Sequence, residues 1–104
     1  MTIFTARDLT EKLLLTANKF RMGYEWEAGV ELKDHTNSDI KELIAVINKS
    51  NVVDKLKNTI LQLLANTMSS ISAAQERRDW CGMADFIQFD LVSIIHIVNT
   101  QLKE

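Results

Sequence analysis

The chain has 104 residues, 46 % of them hydrophobic and 25 % charged, an ordinary soluble composition at a length that suits one domain, residues 1–104. Its formal net charge of −2 supplies no basic field for a phosphate backbone, which excludes nucleic acid from the expected partners. Proline is absent and glycine occurs three times, too few turn formers for a β-rich protein of this size.

The opening "MTIFTARDLTEK" places acids and bases where a secretory signal would need an apolar run. Uninterrupted apolar runs, such as residues 13–15 and 43–47, fall far below the ~20 residues of a membrane span. A cytoplasmic protein with no membrane partner is expected. Thr5 and Asp8 have the spacing of a capping box, so a first helix is predicted to start after Thr5. Leu9, Leu13, Ala17, Phe20, Tyr24 and Ala28 recur at helical spacing and define its buried face. Leu15, Met22 and Trp26 form a second apolar stripe on the opposite side. Gly23 and Gly29 weaken the middle by about 1 kcal/mol each relative to alanine, and a kink or break near Gly23 is possible. The helix should end near Asp34, before the turn-rich "HTNS". Glu27, Glu31 and His35 step by four along one face. Three ligands at a helix end are read as a solvated acidic edge rather than a metal site.

A short second helix follows, capped by Asn37 or Ser38, with Ile40, Leu43, Ile44 and Ile47 as its apolar face. "NKSN" closes it and offers Ser50 or Asn51 as the next cap. The third helix has the cleanest amphipathic pattern: Val53, Leu56, Ile60, Leu63, Leu64, Thr67, Ile71 and Ala74 against a wet side of Lys55, Asn58, Gln62, Asn66, Ser69 and Ser72. Asp79 is placed to cap a fourth helix running to about Leu102. Its main face is Trp80, Met83, Ala84, Ile87, Leu91, Ile94, Ile95, Val98 and Leu102. The short turn before it sets helices three and four antiparallel. The fold class is therefore all-α: an up-and-down antiparallel helical bundle of three long helices and one short one.

The fourth helix also carries acids. With Trp80 at the origin of a helical wheel, Asp85 falls at about 140° and Asp90 at about 280°, so they cannot pair as catalytic carboxylates. Asp85 lies on the outer side. Asp90 lies at the edge of the apolar stripe and is expected to bond a neighbour such as Tyr24, Arg77 or Arg21. Cys81, the only cysteine, cannot form an internal disulfide and fits a reducing compartment. It is read as a buried structural residue. Phe86, Phe89 and Ile97 form an apolar patch away from the main face. With Leu15, Met22 and Trp26 they are the candidate partner-binding residues, for another protein or for a second copy in a homodimer.

No enzyme signature is strong. His35 and His96 form no His-x-x-x-His pair, no Glu-x-x-His occurs, and glycine-rich phosphate loops are missing. No catalytic, metal or cofactor residue is assigned. The enzyme alternative is an all-α nucleotide pyrophosphatase holding magnesium on Glu31-Leu-Lys-Asp34 and Asp39-Ile-Lys-Glu42, although these pairs flank one short turn instead of facing each other.

"RRDWCGMADFIQFDLVSII", residues 77–95, resembles the C-terminal signature of a family of small helical proteins of uncharacterised function in Gram-positive bacteria. The matching steps are Asp79-Trp80, then Ala84-Asp85-Phe86-Ile87, then Phe89-Asp90-Leu91. Ser93 stands where that signature often has proline, and Phe86 and Phe89 vary its usual side chains. "GYEWEAGVELKD" is a weaker second echo. The resemblance covers about a fifth of the chain. It implies a helical bundle, no catalytic residues, and for some members an association with motility genes. The leading expectation is a non-enzymatic protein-interaction module, an adaptor or small chaperone. The alternative among binding proteins is a bacteriocin or toxin immunity protein, since those too are small acidic helical bundles.

Overall fold

In the computed structural model of the chain, which describes residues 6–101, the first helix stops at Gly23. Helix α1 spans Ala6–Arg21. Gly23 then takes φ +89°, a left-handed conformation that costs glycine little. Its N–H donates to the Phe20 carbonyl at 3.4 Å, and the Tyr24 N–H donates to the Lys19 carbonyl at 2.9 Å. This paired closure satisfies carbonyls that a helix end leaves open. The expected Thr5 cap and Leu102 lie outside the described residues.

The second rod corrects the expected turn at residues 35–38. It runs through residues 25–49 as α2 (Glu25–His35), a π-helical segment (Thr36–Ile40) and α3 (Lys41–Lys49). The phase of the apolar residues explains the π turn. Eight ordinary helical steps from Leu32 to Ile40 would swing the stripe by about 80°. A wider i→i+5 turn advances each residue by less. Ile40 thus stays in line with Leu32, and both are buried with Ala28, Leu43 and Ile47. The Thr36 hydroxyl donates to the Leu32 carbonyl at 2.8 Å, where the wider turn begins.

Ser50 does not cap the third rod. It is buried, and its hydroxyl donates to the Ile47 carbonyl at 2.8 Å, closing the second rod instead. Helix α4 (Asp54–Glu76) begins after Val53, which makes no side-chain cap bond. The last rod, Trp80–Gln101, comprises α5 (Trp80–Asp85), a second π segment (Phe86–Leu91) and α6 (Val92–Gln101). Asp79 caps it, its Oδ1 accepting the Gly82 N–H at 2.9 Å. Trp80–Gln101 is long and apolar enough to cross a membrane by length and composition. Runs broken by single polar residues hide this from a search for unbroken apolar stretches. In the bundle its Met83, Ile87, Leu91, Ile95 and Val98 are buried.

The described residues form four helical rods and no strand, so the chain is an all-α antiparallel bundle. Among the described residues the shortest rod is the first, and the segment after Ser38 belongs to a long one. Helix α1 packs against α2 and against the last rod, while α4 packs against the last rod and α3. The longest dimension, 41 Å, barely exceeds the ~38 Å of a helix over residues 25–49 at about 1.5 Å per residue, so the rods lie side by side. Four residues assigned by spacing to the core-facing stripes are exposed: Tyr24, Ile44, Val53 and Leu63. Tyr24 falls in a turn, Val53 precedes its helix, and Leu64 fills the core beside Leu63.

Candidate functional site

Thr16 is the one polar residue on the buried stripe of α1, between Leu13, Ala17 and Phe20, and it is fully buried. It organises a polar seam between α1 and the second rod. Its Oγ1 lies 2.9 Å from Glu31 Oε1 and 3.1 Å from His35 Nε2. Lys19 Nζ donates to Glu31 Oε2 and, at 3.0 Å, to Glu27 Oε1. His35 Nδ1 faces Asp39 Oδ2 at 3.4 Å, and Lys12 Nζ lies 3.9 Å from the same oxygen. His35 and Asp39, four residues apart, share the α1-facing side. Glu27, Glu31 and His35 therefore share a face, as their spacing predicts. They form a paired seam, however, where a solvated edge was expected. Periodicity held the missed signal, a threonine at a core position of α1 opposite that acidic face.

Burial pushes the Glu31 carboxyl pKa up, but hydrogen bonds from Lys19 and Thr16, with the Lys19 and His35 charges, outweigh it and hold the value below the ordinary 4.5. Hydrogen bonds to Glu31 and then Glu27 raise the Lys19 ammonium above its ordinary 10.5. Thr16, His35 and Asp39 occur in the order of a nucleophile, base and acid. The proton inventory runs the other way. An ionised Glu31 can only accept, so it takes the single hydroxyl proton of Thr16. His35 Nε2 must then donate to Thr16 Oγ1, and a nitrogen that donates there cannot deprotonate the hydroxyl. As arranged, the seam joins helices and does not activate a nucleophile.

The acids of the magnesium reading, Glu31, Asp34, Asp39 and Glu42, all lie on the second rod, two of them engaged in the seam. Among the described residues no three His, Cys, Asp or Glu side chains gather as a metal site. Asp90 is exposed and makes no hydrogen bond or ion pair among the described residues, which corrects the expectation of a bonded acid at the stripe edge. The pairing falls to Asp85, whose Oδ1 accepts from Arg21 Nη2 at 2.8 Å. Beside it the Phe20 and Trp80 rings stack with centroids 6.1 Å apart. Cys81 is exposed, not buried, because Trp80, Met83 and Ala84 take the inward positions of that turn.

The six candidate partner-binding residues divide into two groups. Phe86 and Ile97 are half-buried against the core. Leu15, Met22, Trp26 and Phe89 are exposed by 62, 67, 82 and 58 %. Leu15 on α1 and Trp26 on α2 point away from the buried stripes, and Met22 lies in the turn between the two helices. Tyr24 and Val30, also exposed, extend this apolar character along the hairpin. Comparison with protein-family models, curated proteins and solved structures finds no match for this chain.

Proposed function

We propose that this chain is a non-enzymatic protein-interaction module of the cytoplasm, and that it self-associates through the outer side of the α1–α2 hairpin. The observation carrying this reading is the exposure of Leu15, Met22 and Trp26 opposite the core-facing stripe. Hydrating three large apolar side chains gives the monomer nothing in return, and burial of each against a partner is worth roughly 1.5–3 kcal/mol before the cost of association. Phe89 on the last rod adds a fourth anchor. Trp and Met are suited to interfaces, the first by its area and the second by its adaptable shape.

Sedimentation over a range of concentrations tests this. Wild type should form a dimer, and Trp26→Ser with Met22→Ser should sediment as a monomer with an unchanged melting temperature. A wild type that stays monomeric at millimolar concentration removes self-association. If it also captures no host protein through these residues, the interaction reading goes with it.

A further inference from the structure

The second and third rods part near the Gly23 end of the bundle, leaving a cleft of about 320 Å³ between α2 and α4. Small residues open it. A Cβ on Gly29 would meet nothing within 4 Å, and α4 presents Ser72 from the opposite wall. Leu32, Met68 and Ile71 supply apolar surface, the first and last of them buried. Among the described residues Lys33 is the only charged one lining the cleft, and it makes no ion pair with any of them. Asn37 and Gln75 add amide donors at the rim.

We propose that this cleft binds a small amphipathic carboxylate, its apolar body on Leu32, Met68 and Ile71 and its charge at Lys33. A volume at the low end of the ~300–1,000 Å³ range for ligand sites suits one short chain or ring. It cannot hold a partner helix about 10 Å across. The cation selects an anion, since among the described residues no carboxylate lines the walls to neutralise it or to hold a metal. The site does not rest on self-association: its walls are residues of α2, the following π segment and α4, and Leu15, Met22, Trp26 and Phe89 are not among them.

Amide chemical shifts followed during titration with octanoate provide the test, with octylamine and acetate as comparison probes. Octanoate should give saturable shifts confined to the cleft. Both comparison probes should bind at least about tenfold more weakly, as expected for losing a charged hydrogen bond or the apolar contact. Lys33→Glu should weaken octanoate by about tenfold. Gly29→Leu should fill the cleft and abolish binding while melting no lower than wild type, since the position is helical and open. Absent or unsaturable shifts, equal binding of octylamine or acetate, or undiminished binding by Lys33→Glu or Gly29→Leu would overturn the proposal.

Discussion

Two turns at the same end of the bundle close with one hydrogen-bond pattern on different residues. After α1, Gly23 and Tyr24 donate back to Phe20 and Lys19; after α4, Arg78 and Asp79 donate back to Gln75 and Ala74 at 3.0 and 2.9 Å. Gly23 enters the left-handed region freely, whereas Arg78, at φ +56°, does so against its own Cβ. The exits differ as well. Tyr24 leads into α2 with no side-chain cap, while Asp79 caps the last rod. The strain on Arg78, about 1 kcal/mol, is of the same size as the stabilisation from Asp79, about 1 kcal/mol. A helix end is thus fixed by its backbone bonds, and the left-handed residue sets only their cost.

The Phe20–Trp80 stack joins the two turns, and its removal should have the largest effect. Trp80→Ala is expected to cost about 3 kcal/mol, the low end for a buried aromatic because Trp80 is half-exposed. Denaturant unfolding checks this, and a loss below about 1 kcal/mol would show that the turns are not coupled through the ring.

Exchanging the left-handed residues comes next. Gly23→Ala should destabilise by about 1–2 kcal/mol, and Arg78→Gly should stabilise by about 0.5 kcal/mol after its added unfolded-state freedom is counted. If thermal melts moved the same way for both, the proposed difference between the turns would be wrong. Asp79→Ala should cost about 1 kcal/mol. Gly82→Ala should act through the same cap, because its Cβ would stand 2.2 Å from Asp79 Oδ2. A double variant no less stable than the worse single variant would confirm that shared origin, and additive losses would refute it.

The smallest effect separates the charged hairpin from the capped one. Because the folded Glu31 pKa is lowered, its contribution is complete above about pH 4.5 and is lost as pH falls through the folded value. The raised Lys19 contributes below 10.5 and loses that contribution as pH rises through its folded value. Wild type should therefore lose its advantage over Glu31→Gln on acidification. A stability difference that stays constant across this acid range would assign Glu31 no linkage role.

The apolar periods carried the fold class, because Leu9, Leu13 and Phe20, or Ile60, Leu64 and Ile71, repeat at helical spacing and are buried. The break near Gly23 was legible for the same local reason. The continuity of residues 25–49 was not. "HTNS" has the composition of a turn, and only contact with α1 and the realignment of Ile40 favour a π turn there. The seam was half visible: spacing aligned Glu27, Glu31 and His35, but their partners Thr16 and Lys19 belong to another helix. The exposure of Asp90 and Cys81 likewise depends on which neighbours take the inward positions, which one helix read alone does not show.

The π turn in the second rod has a consequence for tolerated changes in length. Seven ordinary helical steps return a side chain to within about 20° of its starting direction. Removing Asn37 or Ser38 would let an unbroken α-helix carry Leu32 and Ile40 in phase, at the cost of re-spacing the His35–Asp39 contact. The rod holds one residue more than its packing requires, so a single deletion should be absorbed there. The same deletion in the middle of α4 would rotate half of its apolar face out of the core.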